Sequence, residues 1–375
     1  MNESGSDVSK EAASMILLDD NFASIVKGIE EGRLIFANLK KSIRYTLTHS
    51  TPEIIPQILY ILVPLPAILT SIMILVIDLG FEICAALSYA WEPAESRNGL
   101  MLLPPRKPVT MRSIQQLRAR KARQPAAQID PATGEPTKPT RLQKLGQSAR
   151  KPFTKMFWKN MFEKEEGEIL VDGDLLSWAY LEAGMISAIS LIITFFVILN
   201  KHDISPRQAR IMAKDQDNTW FEKDSKVYVY DGREFTGHDQ FYALNEARTG
   251  VLFSIYILQV FNLFICKARL RMPFGKFMFR NKRTFYGFGA GLVLLCFVTY
   301  VPPLNTVFNT SYKSIPLYWL IALGFGFVLL AYASGRILYL RKSRPIKWNP
   351  EIEGLHMHPT IWSTRHTTRS VDLSA

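Results

Sequence analysis

The chain has 375 residues, of which 48% are hydrophobic, 12% aromatic and only 21% charged, with 45 Lys and Arg against 33 Asp and Glu and a formal charge of +12. Mean hydropathy is only +0.04, yet the apolar residues are gathered into long blocks almost free of charge, which excludes intrinsic disorder, a collagenous fibre and a simple soluble enzyme. Cys84, Cys266 and Cys296 lie in or beside those blocks without metal or disulfide spacing, so a cysteine-stapled secreted domain is excluded as well.

Residues 1–44 are soluble in character and read as strand, turn and helix. Ala12 to Leu18 is a short apolar run, Asp19-Asp20-Asn21 a turn, and Phe22 to Leu47 a long helix that enters a membrane; no continuous apolar stretch of signal-peptide type occurs here. A helix crossing the hydrocarbon core needs about 20 mostly apolar residues. Six segments answer to that: Tyr45 to Leu62, Ile68 to Tyr89, Leu175 to Leu199, Gly250 to Cys266, Phe285 to Val301 and Leu317 to Leu340. Only Val63-Pro64-Leu65-Pro66-Ala67 separates the first two. Tyr45 to Tyr89 is 45 residues, more than twice a single crossing, so a hairpin turning at the prolines is favoured over one kinked helix.

The linker from Trp91 to Gly173 stands apart by composition. Between Pro104 and Glu165 it has fifteen Lys and Arg against four Asp and Glu, a net +11 that nearly equals the surplus of the whole chain. One reading is an electrostatic tether to anionic lipid; the other is a solvated, largely disordered insertion whose charge serves topology. It has no folded basic module or aromatic stacking platform, which argues against nucleic acid as a partner. Phe153 to Phe162 has the pattern of a short interfacial amphipathic helix.

Lys and Arg near the span ends set the orientation. Lys267 to Arg283 holds seven basic residues and no acid, Arg341, Lys342, Arg344 and Lys347 follow the sixth span, and Arg33, Lys40, Lys41 and Arg44 precede the first. The loop from Asn200 to Asn245 has seven basic residues against eight acidic ones, and Pro302 to Pro316 has only Lys313. Six crossings put every basic segment on one side, with both termini cytosolic. Arg336, near the inner end of the sixth span, is expected to snorkel. Gly287, Gly289 and Gly291 lie inside an apolar span with no preceding strand, so helix packing is expected rather than a nucleotide loop.

Charges inside the first hairpin carry the chemistry. Glu53, Asp78 and Glu82 interrupt otherwise apolar sequence, and ionisable groups in a membrane span mark a functional site by default. Glu53 is twelve residues before Leu65 and Asp78 thirteen after it, so at ~1.5 Å per residue both lie ~18–20 Å from the turn, at matching heights near the midplane. Asp78 and Glu82 are four residues apart and share a helix face. Pro52 and Pro56 flank Glu53 and free backbone carbonyls, which line cation sites where they occur at membrane depth. Gln259 and Asn262 lie at similar depth in the fourth span. The set is oxygen-rich and suits hard cations or protons rather than thiophilic metals. The competing reading makes one carboxylate protonated and the others glue between helices, with Gln259 and Asn262 bonding across an interface. His49, one turn before Glu53, titrates, acts as an internal cation, ligates, or simply hydrogen-bonds.

Several of these segments carry a family resemblance. Gly5-Ser6-Asp7-Val8-Ser9-Lys10-Glu11-Ala12-Ala13, Leu17-Leu18-Asp19-Asp20-Asn21-Phe22 and Glu31-Gly32-Arg33 closely resemble the end of the phosphorylation domain and the stalk helix of P-type ATPases. Asn38-Leu39-Lys40-Lys41-Ser42-Ile43, Tyr45-Thr46-Leu47-Thr48, Pro52-Glu53-Ile54, Ile77-Asp78-Leu79-Gly80 and Ala94-Glu95-Ser96 continue the likeness, which points to the sodium/potassium and proton/potassium pump branch. Trp178-Ala179-Tyr180, Gly184-Met185, Ile265-Cys266-Lys267 and Tyr300-Val301-Pro302 match more loosely. The resemblance covers most of residues 4–345, apart from the basic insertion.

The resemblance implies that Glu53 and Asp78 bind transported cations. Glu82 stands where the family usually has Asp, Ser50 where it has Asn, His49 where it has Ser (Lys in proton pumps), Phe81 where it has Thr and Asn262 where it has Asp. No carboxylate appears in the fifth span, so a third sodium site is not expected, and His49 suits proton coupling or fewer cations per cycle. The expected site is therefore Glu53, Asp78, Glu82, Ser50, His49, Gln259 and Asn262, holding sodium, potassium or protons. The DKTGT, TGDGVND and TGES motifs do not occur in the sequence, so no catalytic residue is assigned and no ATPase activity is expected of this chain alone. ATP and magnesium, which the family uses, belong to domains outside it, and Met1 aligns inside a domain, so the missing N-terminal half of the pump is an expected partner. A lipid bilayer is the other, together with an accessory subunit at the outer loop 200–245.

The expected fold is an all-α polytopic membrane protein with six transmembrane helices and a short cytosolic α/β remnant of the phosphorylation domain at the N-terminus. Its divisions are 1–21, the stalk helix 22–44, the hairpin 45–91, the basic insertion 92–173, four further spans over 174–340 and a cytosolic tail 341–375. The expected function is the ion-pathway portion of a P-type ATPase at the plasma membrane. A self-standing passive or proton-coupled carrier and a non-transporting remnant or regulatory subunit are the alternatives.

Overall fold

A computed structural model describes Glu11 and residues 22–95, 170–214, 220–230, 232–269, 271–311 and 315–343. The expected strand and turn over 12–21, nearly all of the basic insertion, the Phe153 to Phe162 segment and the tail beyond 343 lie outside the described residues. The chain divides into two units, one of residues 1–103 with 176–375 and one of 104–175. Within the second, the Asp172 carboxylate accepts from the Leu175 N–H at 2.9 Å and so starts a helix.

Helix α1 runs unbroken from Phe22 to Leu62, joining the expected stalk and the first apolar segment into one rod. Pro52 and Pro56 sit inside it. Each removes a backbone donor, so the carbonyls of Thr48 and Pro52 lose their partners four residues on, yet packing of the two buried rings holds the helix together. It ends just before Pro64, and residues 63–70 are irregular. Helix α2, Ser71–Trp91, starts three residues later than the apolar stretch suggests, because Thr70 caps it by accepting from the Met73 N–H. A π turn, Ile77–Glu82, interrupts it.

Helix α3, Gly173–Lys201, contains a second π turn, Ser177–Glu182. After it come a short helix, α4 (Pro206–Lys214), and the antiparallel strands β1 (Tyr228–Tyr230) and β2 (Arg233–Phe235), with Tyr228 opposite Phe235 and Tyr230 opposite Arg233. Helix α5, Gly237–Lys267, begins thirteen residues ahead of the apolar stretch, where Thr236 and Asp239 form a reciprocal capping box. Helices α6 (Arg283–Tyr300), α7 (Pro302–Phe308) and α8 (Ile315–Ser343) complete the described residues.

Among the described residues, five helices are long and apolar enough to cross a membrane: α2, α3, α5, α6 and most of α8, from Tyr318. The protein is an integral, multi-pass membrane protein. The first expected span, Tyr45 to Leu62, is the second half of α1; His49, Glu53 and Gln57 lower its hydropathy below that of the other five. Helix α5 is central. Its most apolar stretch is 78% buried, against 28–50% for the other four, and it packs on α8, α3 and α1, while α6 packs on α2. Gly287 on α6 permits that last contact, since a Cβ there would lie 2.7 Å from the Cys84 carbonyl oxygen; Gly291 faces the Tyr256 ring, and Gly289 meets nothing within 4 Å.

Candidate cation site

The site forms where α1 meets the π turn of α2. His49 and Glu53 are one helical turn apart on α1 and present the same face. Asp78 and Glu82 come from the π turn, a distortion that recurs at functional positions because it re-aims side chains within a helix. The turn is fixed from behind. Ile77 and Phe81 are buried in the core, Phe81 meets Tyr256 edge to face at 5.5 Å, and Gly80 lies against the side-chain tip of Leu294 of α6, which a larger residue would have to displace. With that face anchored, Asp78 and Glu82 turn toward α1. Gln57 closes the other end by donating to the Leu69 carbonyl at 3.0 Å.

His49 is the hub. Its Nδ1 lies 2.5 Å from Glu82 Oε2, and its Nε2 lies 3.1 Å from Asp78 Oδ1 and 4.0 Å from Glu53 Oε2. The Glu53 and Glu82 side chains are only 8% and 3% exposed. These are close charge contacts without good hydrogen-bond angles: His49 Nδ1, Glu53 Oε1, Asp78 Oδ1 and both Glu82 oxygens have no aligned hydrogen-bond partner. One imidazolium cancels at most one of three ionised carboxylates. Two negative charges then remain in a cluster whose Asp78 side chain is 42% exposed but whose Glu53 and Glu82 are buried, and within a membrane span they are costly unless a cation or a proton joins them.

The expected residues do not all converge. Gln259 and Asn262 are buried on α5, but they bond to one another at 3.4 Å, and Asn262 accepts from Cys266 Sγ at 3.3 Å. Ser50 is half-buried next to His49 on α1. Among the described residues, no hydrogen bond or ion pair ties these three to the carboxylates. Tyr45 and Tyr89 pack with Leu263 and Cys266 of α5, their rings 5.8 Å apart, and the Tyr89 hydroxyl donates to the Leu263 carbonyl at 2.7 Å.

Two further polar clusters escaped the sequence reading. Arg336 does not snorkel: its Nε lies 2.5 Å from Glu182 Oε2, and both side chains are mostly buried. Tyr332 and Ser177 donate to the same carboxylate at 3.0 and 2.7 Å, and Trp178 carries Arg44 stacked at 4.2 Å. An acid in the third span with a base in the sixth was the available signal. The second cluster pins the other end of α2. Asn38 donates to the Glu92 carbonyl, while Asn281 and Lys267 reach the Glu92 carboxylate at 3.0 and 3.4 Å. Beside it, Glu95 accepts from the Arg271 and Arg269 N–H groups and pairs with Lys41 at 3.7 Å.

Comparison with known proteins gives concordant results. A family model described as "Cation transporting ATPase, C-terminus" matches residues 160–338. The chain is 35% identical over 351 residues to the sodium/potassium-transporting ATPase subunit alpha-2 of Gallus gallus, a match covering 91% of this chain and 27% of the relative. It is 34% identical over 347 residues to the sodium/potassium-transporting ATPase subunit alpha-3 of Oreochromis mossambicus, with the same coverage. The chain thus spans about a quarter of the length of the curated relatives it matches.

Proposed function

Since the chain belongs to the cation-transporting P-type ATPases and matches their C-terminal part, we propose that it forms the membrane ion-pathway portion of such a pump, passing monovalent cations (sodium, potassium or protons). The observation that carries this reading is the gathering of Glu53, Asp78 and Glu82 around His49, with buried carboxylate oxygens left without aligned donors. Glu53 and Asp78 supply oxygens to the passenger, and His49 and Glu82 complete the charge balance. Ser50, Gln259 and Asn262 are reserve oxygen donors that join only if α1 and α5 rotate during transport. Tyr45 to Leu62 forms a sixth crossing, both termini face the cytosol, and the membrane is the plasma membrane.

The first half of α1 is the lever of this scheme. Rotation of a phosphorylation domain attached before Phe22 travels along an uninterrupted helix to His49 and Glu53, while the Glu92 and Glu95 clusters hold α2 still. Gamma-phosphoryl transfer requires an acceptor carboxylate, magnesium ligands and a nucleotide cradle, which we assign to the pump's other part. The outer segment with β1 and β2 is where an accessory subunit would dock.

The test is equilibrium binding of 86Rb+ and 22Na+ to the purified chain in detergent. One saturable site is expected, and Glu53→Gln weakens it about tenfold or more, roughly 1.4 kcal/mol. Absence of saturable binding for both ions, or binding indifferent to Glu53→Gln, rejects the reading.

A further inference from the structure

We propose that the site also takes a single first-row divalent transition-metal ion, of the manganese, cobalt or zinc type, ligated by His49 Nε2 and by carboxylate oxygens of Glu53 and Asp78. The inference rests on the cation-site reading above and adds a second class of ion to it. Alkali cations are held by oxygen alone, whereas a neutral imidazole nitrogen is a ligand for transition metals. One ligand atom from each of His49, Glu53 and Asp78 can be chosen so that all three lie within 4.8 Å of one another. Bonds of about 2.0–2.2 Å to a central ion leave neighbouring donors about 3 Å apart and opposite donors a little over 4 Å apart. The separations from His49 Nε2, 3.1 Å to Asp78 and 4.0 Å to Glu53, fall across that range.

The other side of the ring supports the same assignment. Glu82 Oε2 lies 2.5 Å from His49 Nδ1. The two atoms are close without being aligned as a hydrogen bond; a carboxylate that turns onto this nitrogen fixes the tautomer of a metal-bound histidine and leaves the opposite nitrogen's lone pair directed at the metal. Glu53 and Glu82 are more than nine-tenths buried, and their free oxygens are held inside the cluster rather than in solvent. Three carboxylates against a neutral imidazole also give a charge suited to a doubly charged ion. The rival description, an imidazolium locked in three ion pairs, fits the same distances but offers no nitrogen lone pair, so a divalent ion would meet carboxylate oxygens alone and its binding would not depend on His49 as a ligand.

Manganese separates the two. The full chain, purified without a histidine tag, is titrated with Mn2+ while the electron paramagnetic resonance of the free ion is followed, and 86Rb+ binding is measured on the same preparation. We expect one Mn2+ per chain, displacement of 86Rb+, and a loss of Mn2+ affinity of about 10–100-fold or more in His49→Gln, at least the effect seen when a group that merely supports a ligand is removed. His49→Asn serves as a second variant, and the gel-filtration profile of each shows whether it folds. Binding of 86Rb+ without Mn2+ overturns this inference and leaves the cation reading standing. Failure of both ions removes both. Mn2+ binding unchanged in the two folded variants places the metal elsewhere and overturns the assignment to His49.

Discussion

Glu182 and Arg336 show how a single charge changes the cost of its neighbour. Both side chains are mostly buried and meet at 2.5 Å. Removing one partner strands the other, which costs about 3–5 kcal/mol, whereas replacing both by neutral groups of similar size costs far less. Arg336→Ala is therefore expected to lower the midpoint of unfolding in a denaturant or thermal series sharply, and the pair Glu182→Gln with Arg336→Gln to recover most of it. Equal losses in the single and double variants would mean the pair contributes nothing beyond volume. The same residues mark a limit of reading by sequence. Depth arithmetic placed Glu53 and Asp78 at one height, and Glu82 followed from helical spacing, so that part of the candidate site was legible. Depth does not fix the direction a side chain faces around its helix. Gln259 and Asn262 lie at the expected depth and still bond to each other and to Cys266. Arg336 seemed free to snorkel because its partner lies 154 positions away in the sequence.

Helix boundaries depend on physics that hydropathy does not carry. An apolar stretch marks where lipid contacts the chain, while capping marks where the backbone ladder begins; the box at Thr236 and Asp239 extends α5 well beyond its apolar part. Proline acted differently in two places. Pro64, outside any packed helix, ended α1, whereas Pro52 and Pro56, with buried rings, did not. The π turns at Ile77–Glu82 and Ser177–Glu182 left no trace that spacing reveals, since a single inserted residue keeps both flanks helical. Packing between elements makes a sharper prediction. Gly287→Val drives a side chain into the Cys84 carbonyl of α2, at a cost of about 1–3 kcal/mol, while Gly289→Val on the same helix enters open space. Thermal denaturation of the two variants in detergent should separate them, with Gly289→Val close to the unsubstituted chain. Equal stability would show that α6 does not rest on α2 through Gly287.

The number of crossings decides which end of the site faces the cytosol. Among the described residues five helices are apolar enough to cross on composition, and Tyr45 to Leu62 falls short because it carries His49, Glu53 and Gln57. Those polar groups are turned toward other helices or the connecting segment: His49 and Glu53 meet Asp78 and Glu82, and Gln57 bonds the Leu69 carbonyl. Their polar atoms face other parts of the protein rather than lipid, so mean hydropathy understates how well this segment suits a bilayer. Exposed Ile54, Ile58, Ile61 and Leu62 cover its outer face with apolar surface. The six-crossing arrangement then puts Glu31 and Lys276 on one side and Lys226 on the other, whereas an α1 that stays outside the bilayer puts Glu31 with Lys226. All three positions are exposed. Single cysteines introduced at each, in a chain with Cys84→Ser to silence the exposed native thiol, are treated in sealed cells with a maleimide that does not cross membranes. Lys226→Cys is expected to react, and Glu31→Cys and Lys276→Cys only after the membrane is opened. Reaction of Glu31→Cys in sealed cells alongside Lys226→Cys would leave α1 uncrossed, remove Glu53 from the membrane interior, and with it the physical basis for calling the cluster an ion pathway.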